Sequence, residues 1–283
     1  MKHAPQFAYF QRGYSVVELL IAGTLGLILL GGISQLFVGS SQTYRMQRQL
    51  ANIQDSGRFA LWYLKDDLQR AGWANDGAEP TSPLEEGPIF QLPDAFSDTL
   101  NCGGGNCTAD GGGDANDSFA VRFEGTTDCT GVAVAGPVVQ NYYYIGGVDN
   151  QQLLCVGNGG GTPQPLVDGV DSFQVLYGID TTAPAPASPS CRDRAVDQYV
   201  TATDLADFGV GLGETRSVVA VRFSLLIRGE ENNALPSVDR SYQVGDRELS
   251  FNDRIPRRVF SLTVPIYNRV MRVNQTVSEC PFQ

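Results

Sequence analysis

Carboxylates and cysteines are the reactive side chains this sequence supplies in number, and histidine is almost missing. The only histidine of the 283 residues is His3. Lysine occurs only at Lys2 and Lys65. Ser-His-Asp catalysis, Cys-His catalysis and histidine-ligated metals are therefore disfavoured, since each needs a titratable imidazole beyond the N-terminus. No G-x-x-x-x-G-K-[ST] loop, no G-x-G-x-x-G after a strand and no C-x-x-C pair occurs. The six cysteines, Cys102, Cys107, Cys129, Cys155, Cys191 and Cys280, are even in number and all lie far from the N-terminus. That pattern points to disulfides in an oxidising compartment, the alternative being buried thiols. Cys102 with Cys107 could close a small loop, Cys129 with Cys155 a hairpin, and Cys191 with Cys280 could tie down the C-terminus. Asp110, Asp114, Asn116 and Asp117 could supply oxygens to calcium. Their spacing misses the EF-hand and the G-G-x-G-x-D repeat, so a solvated acidic loop without metal is the reading, and no cofactor is expected.

Glu18 is the carboxylate in the least expected place. It directly precedes residues 19–38, LLIAGTLGLILLGGISQLFV, an uncharged run of 20. As a helix this run is about 30 Å long, the thickness of a bilayer core. A carboxylate costs about 2.5–3.5 kcal/mol at the bilayer centre and less near its edge. Lys2 and Arg12 are the only charges in residues 1–13 and keep that end cytoplasmic, so the bulk of the chain is exported. A secretory signal peptide cut near residues 39–41 is the alternative, although no separate apolar segment precedes the run.

The run G-Y-S-V-V-E-L-L, residues 13–20, resembles the type IV prepilin processing motif. The resemblance implies cleavage between Gly13 and Tyr14 by a prepilin peptidase, and N-methylation of Tyr14. It makes Glu18 an assembly contact that attracts the α-amino group of a neighbouring subunit. Pairing lowers the cost of each charge in hydrocarbon. Without residues 1–13 the chain keeps 18 cations against 31 acids, a net −13. Such a surface repels nucleic acid as a whole, and nucleic acid is not expected as a partner.

The helix is expected to continue to residue 71. Leu50, Ile53, Leu61, Leu64 and Leu68 form a helical stripe, Gly57 weakens its middle and Gly72 ends it. Arg58 and Asp67 are read as charges on its solvated face. Residues 56–72, SGRFALWYLKDDLQRAG, resemble the corresponding helix of PilW-like minor pilins. Residues 76–117 hold nine acids and no Lys or Arg, and read as a long solvated loop. Residues 181–190, TTAPAPASPS, read as an exposed loop. Strands are expected at 119–123, 138–145, 153–156, 167–177, 217–227 and 259–267, with Pro265 marking an edge or bulge. Residues 165–180 and 257–269 also resemble PilW-like segments. Gln35 stands where many major pilins carry a kinking proline, which favours a minor subunit.

The expected fold is α+β and type IV pilin-like, with a long N-terminal transmembrane and amphipathic helix packed on one antiparallel sheet of five to eight strands. Residues 1–13 would be leader, 14–39 the transmembrane and filament-core helix, 40–72 its amphipathic continuation and 73–283 the exported β-rich domain. The resemblance implies a minor pilin required for pilus assembly, twitching motility and adhesion. Its partners would be other minor pilins, the major pilin, prepilin peptidase, the inner-membrane assembly platform and a tip adhesin. It would sit in the inner membrane by a single pass and then in the pilus. The alternatives are a J-like minor pseudopilin of type II secretion, a membrane-anchored periplasmic enzyme and a DNA-binding competence pilin. The arginines 254, 257, 258, 269 and 272 are the feature that raises the last reading. Strand alternation splits them between faces, where the acidic excess can pair with them.

Overall fold

The protein is described by a computed structural model over residues 13–71, 108–113, 115–181, 195–207, 218–231 and 236–266. It divides into two compact units, Met1–Arg48 and Gln49–Gln283. In the first unit, helix α1 (Val16–Arg70) begins. Ser15 caps it, because the Leu19 N–H donates to the Ser15 carbonyl at 3.1 Å and the Val17 N–H reaches Ser15 Oγ at 3.4 Å. Serine suits this position because its hydroxyl satisfies a backbone donor that the first turn leaves free. The first half of α1 is long and apolar enough to cross a membrane, and its most apolar window buries nothing against the protein. Leu20, Ile28, Leu36 and Phe37 are all exposed. Apolar side chains in such numbers outside a core require lipid or protein around them.

Among the described residues, the second unit holds ten strands and the last turns of α1. One sheet has the order β1 (Phe119–Glu124), β2 (Val138–Gly146), β3 (Gln152–Gly157), β4 (Gln164–Asp168). A second has the order β10 (Arg257–Pro265), β7 (Val218–Arg228), β5 (Val170–Ile179), β6 (Gln198–Val200). A hairpin pairs β8 (Val238–Val244) with β9 (Arg247–Asp253). Every pairing is antiparallel. A short helix, α2 (Ala202–Asp207), follows β6, and Thr201 Oγ1 accepts from the Asp204 N–H at its start.

Two sheets and a hairpin thus replace the single sheet expected. The reason lies at Gly169. The sequence reads as one strand over residues 167–177, but Gly169 has φ +70°, and a Cβ there would stand 2.9 Å from the Arg228 carbonyl. The chain turns at this glycine and passes from β4 in one sheet to β5 in the other. Glycine adopts that conformation without the steric penalty an L side chain meets. Pro265 closes β10 at the edge of its sheet, where no ladder donor is needed.

Within this unit, Ile53, Ala60, Leu64 and Leu68 of α1 share one core with Phe119 and Tyr143 of the first sheet and Phe173, Phe223 and Val264 of the second. Burying a side chain such as Phe223 contributes about 1.5–3 kcal/mol. The helical stripe is shifted from the one expected. Leu50 is exposed and Leu61 only half-buried, whereas Gly57 is buried. A Cβ on Gly57 would lie 2.5 Å from the Phe260 ring, so this glycine lets β10 approach the helix.

Candidate functional site

Residues 13–18 are all exposed. Gly13 is exposed and non-helical, and a Cβ on it would have nothing within 4 Å. Tyr14 is 85% exposed. Glu18 lies in the first turn of α1, where the helix dipole favours a negative charge. Gly13 lies outside the helix, two residues before its cap at Ser15. Beyond it, the exposed carboxylate is free to meet a cation from outside the chain.

The second part of the site is the hold of the domain on α1. Asp67 is 3% exposed and is not on a solvated face, contrary to the sequence expectation. It follows Ala60 and Leu64 along the buried face, and its side chain accepts from Asn141 Nδ2 at 2.5 Å and from the Tyr143 hydroxyl. Arg70 lies 3.3 Å from its other oxygen. Burial pushes the Asp67 carboxyl up, while the bonds from Tyr143 and Asn141 draw it back. Asn141 in turn accepts from the Cys129 N–H at 2.9 Å, and the Tyr63 hydroxyl donates to the Cys129 carbonyl at 3.2 Å. Cys129 is disulfide-bonded to Cys155 of β3, the hairpin pairing that the spacing allowed. Two polar side chains of α1 therefore grip one cystine loop. Asp67 was legible only as a residue three and four positions from buried leucine and alanine, and its carboxylate disguised it. Arg58 is exposed as expected.

Cys102, Cys107, Cys191 and Cys280 lie outside the described residues, as do the loop at 182–190, Asp114, Arg269 and Arg272. The tail of the acidic segment is not a solvated loop. Asp117 is buried, accepting from the Val175 N–H at 2.7 Å and the Gly111 N–H at 3.1 Å. Asn116 accepts from the Phe173 N–H at 2.8 Å. Burial pushes the Asp117 carboxyl up to about 6. Among the described residues, no group of three or more His, Cys, Asp or Glu could hold a metal.

The basic stretch is partly spent on ion pairs. Arg257 bonds Asp171 at 2.5 Å and both oxygens of Asp253, at 2.7 and 2.8 Å, and lies over the Phe251 ring. Arg228 is 3.5 Å from Asp171. Arg258 lies over the Phe260 ring, and Arg254 is exposed.

Residues 142–268, from β2 through β10, match the family of the type IV pilus-assembly protein W, PilW. Over this span the chain is PilW-like. The PilW-like span contains segment 165–180 and all but the last residue of segment 257–269, in which the resemblance was read, and it supports a minor-pilin role. No curated protein sequence matches the chain. Among solved structures, the type IV-like pilin TTHA1219 from Thermus thermophilus is similar at 15% identity and a TM-score of 0.42, covering 76% of this chain and 96% of its own. The GspK-GspI-GspJ complex of the enterotoxigenic Escherichia coli type 2 secretion system is similar at 12% identity and a TM-score of 0.30, covering 75% and 96%.

Proposed function

We propose that this PilW-like chain is a type IV prepilin, cut after Gly13 and N-methylated on Tyr14. It then serves as a minor subunit in an inner-membrane complex that primes the pilus and remains at its tip. The observation that carries this reading is an exposed glycine two residues before the cap of an apolar helix whose first turn holds Glu18. The PilW-like span from β2 through β10 supports it. Glu18 takes the α-amino group of a neighbouring subunit as its counter-ion, because the same hydrocarbon that penalises each charge strengthens their attraction. The exported domain gives partner choice among the other minor pilins, the major pilin and a tip adhesin.

Mass spectrometry of the membrane-derived protein should find methyl-Tyr14 at the N-terminus, and a start near Ser41 would overturn the reading. A clean deletion should sharply reduce surface pili and twitching. Normal pili together with exoenzymes retained in the periplasm would assign the chain to type II secretion instead.

A further inference from the structure

Residues 19–44 carry no charge, and Gln35 is set well inside them on α1. Tyr44 and Arg45, residue types that settle at the headgroup level, stand nine and ten positions further on. That is about 14–15 Å along the helix axis, beyond the reach of a glutamine side chain. Helical side chains also lean toward the N-terminus, which here is toward the middle of the apolar run. The two threonines of the stretch satisfy themselves on their own helix. Thr24 Oγ1 donates to the Ile21 carbonyl and Thr43 Oγ1 to the Gly39 carbonyl, each at 2.9 Å. Gln35 is exposed, and its amide bonds nothing among the described residues. Its oxygen has the greater need. Inside a helix every backbone N–H is already taken by the carbonyl four residues back, so Oε1 finds no backbone donor on α1. In hydrocarbon such a group has neither water nor protein to bond.

The helix face around the amide is bare. Gly31 and Gly32 lie four and three residues before Gln35 and Gly39 four after it, and a Cβ on any of them would meet nothing within 4 Å. A carboxamide carries both a donor and an acceptor, so it is its own complement. We propose that α1 self-associates in the membrane through Gln35, with a second copy of this chain as the partner. Copies inserted the same way hold Gln35 at the same depth, and across a two-fold axis each Nε2 donates to the Oε1 of the other. The glycines let the two backbones come close enough for the amides to meet. This inference rests on the reading of α1 as a membrane anchor.

The test uses the purified full-length chain. Flotation with phosphatidylcholine vesicles should carry wild type, Gln35→Leu, Gln35→Asn and Gly31→Leu upward alike. Sedimentation equilibrium in density-matched detergent micelles should then show wild type passing between monomer and dimer. Gln35→Leu should weaken the dimer by about tenfold, although leucine suits the bilayer better. Gln35→Asn keeps the carboxamide and should recover most of that loss. Gly31→Leu should weaken the dimer with the amide intact. Wild type that does not float would remove the anchor reading and this inference with it. Wild type that floats but sediments only as a monomer leaves the anchor standing and overturns the pairing. The pairing is equally overturned if Gln35→Leu or Gly31→Leu dimerises as wild type does, if Gln35→Asn is as weak as Gln35→Leu, or if a variant alone fails to float.

Discussion

Asp67 accepts from two buried donors, the Asn141 amide and the Tyr143 hydroxyl. An unsatisfied buried donor costs about 1–3 kcal/mol. Asp67→Ala should therefore destabilise the domain by about 2–4 kcal/mol in chemical denaturation. Asp67→Asn keeps one acceptor oxygen without a buried charge and should cost clearly less. Equal losses would show that the carboxylate grip contributes nothing specific. Asp117 behaves differently because its pKa is raised to about 6 by burial. Its neutral form favours the fold, so its contribution is complete below the unfolded value near 4 and falls as pH rises through about 6. Asp128 and Asp253 run the other way. Although burial opposes it, bonds from Thr130, Gly159 and Val132 hold Asp128 low, and the Arg257 bonds hold Asp253 low. Their contributions are present above the usual carboxylate value and lost as pH falls through their depressed ones. Between pH 4 and 7, wild type should thus lose on the order of 2 kcal/mol relative to Asp117→Asn, measured by melting both proteins across that range. A flat difference would contradict the assignment to Asp117.

Helix α1 meets β10 at Gly57, which sits under the Phe260 ring. In an exposed helix, replacing glycine by alanine stabilises by about 1 kcal/mol. At this position the sign should reverse, because a methyl group cannot fit beneath the ring and overpacking costs about 1–3 kcal/mol. Gly57→Ala should lower stability in wild type and raise it in a Phe260→Ala background, a double-mutant cycle that fails if the two effects add. The Cys129 to Cys155 disulfide, spanning 26 positions, should contribute about 2–4 kcal/mol. Cys155→Ser should also raise hydrogen exchange in residues 60–70, since Tyr63 and Asp67 hold that loop. The apolar run and six of the ten strands described were legible, because each carries one pattern over many positions. The hairpin β8–β9 was not, since all its residues but Val244 are exposed or half-buried and many are Asp, Arg, Ser, Gln or Glu. Neither was the break at Gly169, where one glycine divides an unbroken β pattern. Gly57 was misread for a related reason. Helix propensity ranks glycine low, and only the approach of another strand reverses the ranking.

The division of the chain at Arg48 separates two kinds of apolar surface. Among the described residues, every core residue lies in the second unit, beginning with Ile53. The exposed apolar side chains are concentrated in the first, from Val16 to Val38. The apolar side chains from Val16 to Val38 are thus not part of the buried core described for the second unit. A chain starting at Gln49 should fold alone, remain soluble without detergent and melt within a few degrees of the full protein. Insolubility or a non-cooperative transition would mean that residues before Gln49 belong to the core. The same separation fixes what Glu18→Ala should do. Glu18 belongs to the first unit, so the melting temperature of the domain should not move. In cells the variant should be exported, processed and stable, yet excluded from sheared pili, because the α-amino group of its neighbour has no counter-ion. A variant that enters pili at the wild-type level would remove Glu18 from assembly and leave it only as a charge at a helix N-terminus. A variant that is degraded would instead place Glu18 in the stability of the anchored subunit.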